Sequence, residues 1–229
     1  MSQHRHRRRL VTSGQLFDRL WRAFGPQQWW PARTAFEVMV GAILTQATSW
    51  HNVEQAIDRL RQANALTPRR LLALSPRVLE RCIRPSGAFR QKAKRLRALT
   101  RWYLGRYRGQ PSRMFRVPPD ALRRELLQQH GIGPETADTI LLYAGGQPVF
   151  VVDAYTRRVF RRHRLVRGTP SDERLKLLVR RHLAPEAQRY NEFHALLVAV
   201  GKRYCHRRAP DCTHCPLGNL PRTLERTVL

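Results

Sequence analysis

One isolated aspartate and three clustered cysteines are the side chains of this 229-residue chain with the strongest claim to chemistry. Asp153 stands twenty residues after Gly133, in the run "HGIGPETADTILLYAGGQPVFVVDAY" of residues 130–155. It opens a predicted helix, "AYTRRVFRRH", where an aspartate serves as an N-cap. Donated N–H bonds and the helix dipole keep such a carboxylate ionised, so it can also stabilise a developing positive charge, or orient a water. Capping and chemistry do not compete at this position. Cys205, Cys212 and Cys215 follow with the spacing Cys-x6-Cys-x2-Cys, and Cys82 stands apart. Clustered thiols in a reducing compartment point to metal or cluster ligation rather than to disulfides.

The elements that must position these residues read as helices, because apolar residues recur at three and four and helix-starting signals punctuate the chain. "DALRRELLQQ" and "ETADTILLYA" flank the turn "HGIGP", a helix-hairpin-helix in which Gly131 and Gly133 are expected to supply positive φ, with Pro134 in the next first turn. Gly131, Ile132 and Gly133 would offer backbone N–H groups to a DNA phosphate without reading sequence. Expected caps are Ser13, Thr48 or Ser49, Thr67 before Pro68, and Ser75 before Pro76. Only "PVFVV" reads as extended, so the expected class is all-α.

Net charge narrows the partner. The formal charge is +27 with a sequence pI near 11.7, and four lysines leave 39 arginines among the 43 basic residues. Exchanging Lys for Arg does not change net charge, so the deficit of acids remains to be explained, and a polyanion such as nucleic acid is the natural partner. No long apolar segment is available for a membrane, and "MSQHRHRRRL" lacks the apolar stretch of a secretory signal. The expectation is an intracellular, cytoplasmic and nucleoid-associated monomer that binds double-stranded DNA.

A Gly-hydrophobic-Gly hairpin with an aspartate twenty residues on resembles the helix-hairpin-helix DNA glycosylase superfamily, of the endonuclease III type. "VGAILTQATSWHNVEQAIDRL" is similar to that family's early helix pair, "SGAFRQKAKRL" to its later loop and helix, and "GKRYCHRRAPDCTHCPL" to its iron-sulfur loop. The resemblance implies a two-lobed all-α fold with a C-terminal cysteine loop. Residues 27–147 would carry the hairpin, and residues 1–26 with 148–229 would form the second domain.

It also implies a base excision repair enzyme acting on DNA with a damaged base, and Asp153 as its catalytic group. Bifunctional relatives place a lysine two residues after the second hairpin glycine; here that residue is Glu135, which cannot form a Schiff base. A monofunctional glycosylase follows. Tandem Trp29-Trp30 before Pro31 resembles the pocket segment of the 3-methyladenine glycosylases, where electron-rich rings attract a cationic alkylated purine; both can equally be core residues. Gln46 aligns with a glutamine that fills the gap left by an extruded nucleotide, and Phe89 is a second wedge candidate. Tyr155 borders the cleft or packs beneath it. Lys202 matches a pocket lysine of alkyl-purine members.

The family's fourth cysteine falls on Pro221. A [4Fe-4S] cluster with an incomplete cysteine set, a zinc site completed by His206 or His214, and a metal-free loop all remain open. A lyase acting on oxidised pyrimidines and a non-catalytic DNA-binding protein are the alternative functions.

Overall fold

The computed structural model describes residues 11–223. Its helices divide between two compact units, one formed by Trp30–Val149 and the other by the chain before Trp30 together with that from Phe150 onward. No strand occurs among the described residues, and "PVFVV" runs as extended chain without a ladder.

Within the unit Trp30–Val149, α2 (Ala35–Leu44) is apolar nearly all round, and every residue from Phe36 to Leu44 is buried. Such a helix belongs at the centre of a core. It is followed by α3 (Trp50–Gln62), α4 (Pro68–Ala73), α5 (Pro76–Ile83), a 3₁₀ turn (Arg84–Ser86) and the long α6 (Phe89–Tyr107), of which α3 and α6 pack on α2 while α4 and α5 pack on α6. Next come α7 (Pro111–Met114), α8 (Pro119–Leu127) and α9 (Pro134–Thr139). Ser49 and Ser75 cap α3 and α5 by accepting from Asn52 N and Val78 N, whereas Thr67 makes no side-chain cap bond. α9 does not end cleanly: residues Ile140–Ala144 widen into a π turn, closed by Gly145 N donating to Ile140 O at 3.2 Å. Single π turns recur at functional sites, and this one carries Tyr143 and packs against α2.

The other unit contains α1 (Ser13–Phe24), α10 (Ala154–Arg162), α11 (Asp172–Arg180) and α12 (Ala187–Arg203). Both α1 and α10 pack on α12, around Phe150, Phe160 and Phe193. The cap of α1 is Thr12 rather than Ser13. Thr12 accepts from Gln15 N and Gln15 answers with its side chain, a reciprocal capping box, while Ser13 donates instead to Leu178 O at 2.8 Å. No helix among the described residues is long and apolar enough to cross a membrane.

Candidate active site and DNA interface

Asp153 is the N-cap of α10: Oδ1 accepts from Thr156 N at 2.7 Å, and the residue is 7% exposed. Burial alone would raise its pKa. Oδ2, however, lies 3.6 Å from His194 Nε2 of α12, and this neighbour together with the Thr156 N–H outweighs burial, holding the carboxyl below its ordinary value of 3.8. The group is therefore a buried, preorganised carboxylate. His194 was not visible as its partner in the sequence, because the two are 41 positions apart (194 − 153) and lie on different helices.

In the same unit, Tyr155 lies against Gly201, so closely that a Cβ there would fall 2.2 Å from the ring, and Arg158 sits 4.9 Å above the Tyr155 ring centre. Tyr155 is thus a packing residue of the α10–α12 seam. Lys202 Nζ stands 5.3 Å from the Trp29 ring centre, a cation–π contact.

The hairpin follows α8. Gly131 has φ +78°, and a Cβ there would strike the Arg95 side chain at 2.4 Å, so glycine is required both for the turn and for the close approach. The expectation of positive φ at Gly133 fails: its φ is −92°, ordinary extended backbone, and the space beside its Cα is open. Ile132 is buried, and its N–H donates to Gln129 O at 3.1 Å, which makes it the anchor of the turn. Beside it, Gly133 is exposed and Gly131 half-buried. Glu135 is exposed in the first turn of α9.

Gln46 is directly coupled to this hairpin. Its Nε2 donates to Gly131 O and to Thr136 Oγ1, each at 3.0 Å, and its Oε1 accepts from Arg95 Nη1 at 2.5 Å. Phe89 opens α6 half-buried, with Arg84 and Arg90 over its ring at 5.9 and 5.8 Å.

Trp30 holds φ +79°, a strained value for a bulky side chain and one that marks functional sites more often than chance. Its indole meets Trp50 edge-on at 5.2 Å and Tyr143 of the π turn at 5.1 Å. Trp30 and Trp50 line a cavity of about 390 Å³ together with Glu37, Glu54, Asp58 and Arg61. That volume is within the range of small-molecule sites. The ring that closes on Trp30 is Trp50, a residue that the sequence alone does not single out. Its Nε1 donates to Glu54 Oε1 at 2.8 Å, an i,i+4 pair that was present in the sequence.

For the cysteine loop the sequence left a [4Fe-4S] cluster, a zinc site and a metal-free loop open. Cys205, Cys212 and Cys215 do converge, on one cavity shared with Arg162 and His163. That cavity measures only about 20 Å³, room for about one water. Arg162 Nη1 donates to Cys205 Sγ at 3.0 Å, Arg158 Nε donates to Cys205 O at 2.7 Å, and His163 Nδ1 donates to the Pro221 carbonyl at 3.2 Å. His214 turns to Asp211 at 2.9 Å, and His206 is exposed. Among the described residues, no three His, Cys, Asp or Glu side chains are placed to hold a metal ion. In this arrangement the loop does not fit a four-iron cluster; protein hydrogen bonds occupy it instead. Cys212→Ser is accordingly expected to leave the thermal midpoint within about 2 °C and the visible spectrum unchanged. A visible shoulder that vanishes in the variant would show that the loop opens to take a cluster.

A buried capping carboxylate, a glycine hairpin and an aromatic cavity on a +27 chain are the features that the comparisons with known proteins must account for. The chain belongs to the HhH-GPD superfamily of base excision DNA repair proteins, which it matches over residues 40–185. It is 42% identical over 196 residues to a Methanocaldococcus jannaschii protein provisionally named DNA repair glycosylase MJ1434, covering 85% of this chain and 88% of that one. It is 32% identical to endonuclease III of Thermotoga maritima over 184 residues, 80% of this chain and 81% of the relative. Among solved structures, a non-covalent endonuclease III–DNA complex superposes with a TM-score of 0.78 at 25% identity, covering 93% and 96% of the two chains. The H. pylori 3-methyladenine DNA glycosylase MagIII bound to 1,N6-ethenoadenine gives 0.73 at 28%, covering 84% and 98%. The protein is a DNA N-glycosylase of the endonuclease III-like group.

Proposed function

We propose that this glycosylase removes alkylated purines by a monofunctional route. The observation that carries the reading is the charge of the aromatic cavity. On a chain of +27, the wall around Trp30 and Trp50 carries three carboxylates, Glu37, Glu54 and Asp58, against the single cation Arg61. Arg61 is itself paired, with Glu37 at 2.7 Å and Asp58 at 2.5 Å. An N-alkylated purine is cationic and flat. Indole faces attract such a base by about 0.5–2 kcal/mol, and unbalanced carboxylates add to that attraction. A neutral oxidised pyrimidine gains neither. The likeness to MagIII, described as a 3-methyladenine glycosylase, supports the same substrate class.

In this route the outward backbone of the Gly131–Gly133 turn holds a phosphate, Gln46 fills the gap left in the stack, and Asp153 offsets positive charge on the deoxyribose as the base departs. A cationic base is already a good leaving group, so little acid catalysis is asked of the protein. A panel of duplexes carrying single damaged bases tests the substrate class, with 3-methyladenine and 7-methylguanine expected to be released and thymine glycol not. Trp50→Ala should lower kcat/KM roughly tenfold on the cationic bases and less on a neutral purine such as hypoxanthine. Release of oxidised pyrimidines in preference to alkylated purines would reverse the assignment.

A further inference from the structure

The two turns that carry the candidate wedge residues, Gln46 and Phe89, hang on cations of one helix. Lys92 of α6 is 2% exposed and reaches two carbonyls at once: Nζ donates to Leu44 O, at the end of α2, at 2.8 Å, and to Ser86 O, at the end of the 3₁₀ turn, at 2.6 Å. Three residues along α6, Arg95 bonds Gln46 Oε1 and fills the space beside Gly131. Each turn also contains a non-glycine residue in the left-handed region, Ala47 at φ +52° and Ala88 at φ +42°. Such residues persist only where their surroundings over-determine them, and they cluster at working sites. Packing alone does not call for a lysine here, because an apolar side chain of similar volume fills a core without desolvating an ammonium. Burial first, and the charge of Arg95 second, bring the Lys92 pKa down to about 8, which leaves the ammonium the majority form at neutral pH.

We propose that Lys92 is a positioning residue for nucleotide extrusion: it sets the Gln46 turn and the Phe89 turn in register through α6, so that both wedges meet the duplex as one prearranged unit tied to the hairpin. The proposal rests on the base-extruding reading given above. Extrusion costs a few kcal/mol from a paired duplex and less where the base is already unpaired. That difference separates positioning from a general loss of structure.

The test compares Lys92→Met with the natural protein on one damaged purine placed in a paired duplex and in a single-nucleotide bulge, alongside amide hydrogen exchange. The variant is expected to lose roughly tenfold in kcat/KM on the paired duplex and to recover most of that loss on the bulge. Exchange over residues 45–49 and 86–89 should speed up together, by about tenfold. Equal losses on both substrates, no loss on either, or turns that open independently would overturn the proposal. Should Lys92→Met fail to fold, Lys92→Gln carries the same comparison, with the same result expected and the same results overturning the proposal. If the natural protein releases no base from either substrate, the extrusion reading fails on its own, and hydrogen exchange alone decides whether Lys92 couples the turns.

Discussion

Asp153→Asn is expected to reduce base release by about 10³-fold or more while leaving affinity for duplex DNA nearly unchanged. The asymmetry follows from the cap that Asp153 makes and the charge proposed for it in the reaction. An asparagine oxygen can still accept from Thr156 N and cap α10, so the fold is retained. The amide carries no charge to set against the cationic sugar. Single-turnover release of base, measured beside a binding titration, separates the two effects; release within about tenfold of the natural rate would remove Asp153 from the chemistry.

The pH profile follows from the same geometry. Folding lowers the pKa of Asp153 below 3.8, so the carboxylate contributes to stability and rate above that value and gives both up only as pH falls past its depressed folded pKa. No acid limb from this group should appear at mildly acidic pH. His194→Ala removes the neighbour 3.6 Å away and leaves burial to raise the pKa, so an acid limb should then move upward into the accessible range.

What the sequence made legible was local. The hairpin, its proline, and the caps at Ser49 and Ser75 are decided within a few residues by turn and cap chemistry, and they stand where that chemistry puts them. The missed parts depend on which helix meets which. Trp30 was visible as an aromatic near Trp29, but its ring partners, Trp50 and Tyr143, come from α3 and from a π turn that no apolar period announces. Arg95 looked like one more arginine among 39, yet it is the side chain that excludes a Cβ at Gly131. The cysteines share one cavity as their spacing suggested, but spacing says nothing of volume, and Arg162 lies against the Cys205 thiol. Gly133 shows the limit of residue-type reasoning: glycine permits positive φ without requiring it, and here the neighbour Gly131 alone adopts it.

Borohydride added during turnover is expected to trap no protein–DNA adduct, and the DNA product is expected to be an intact abasic site that breaks only after alkali or heat. An amine must reach C1′ to form an imine, and the first turn after the hairpin offers Glu135, a carboxylate. Of the chain's four lysines, Lys94 is exposed on α6 and the other three lie against partners. Lys92 is buried with its ammonium on Leu44 O and Ser86 O, and Lys176 Nζ donates to Glu173 at 3.3 Å. Lys202 lies against the Trp29 ring in a cation–π contact. On the proposed monofunctional route, water is the nucleophile and Asp153 stands beside it. Glu135 is exposed, so Glu135→Lys can be introduced without disturbing the core, and it should create weak alkali-independent nicking if that position faces the sugar. An efficient borohydride-trapped complex formed by the natural sequence, and lost in Lys202→Ala, would overturn the monofunctional route and move the nucleophile to α12.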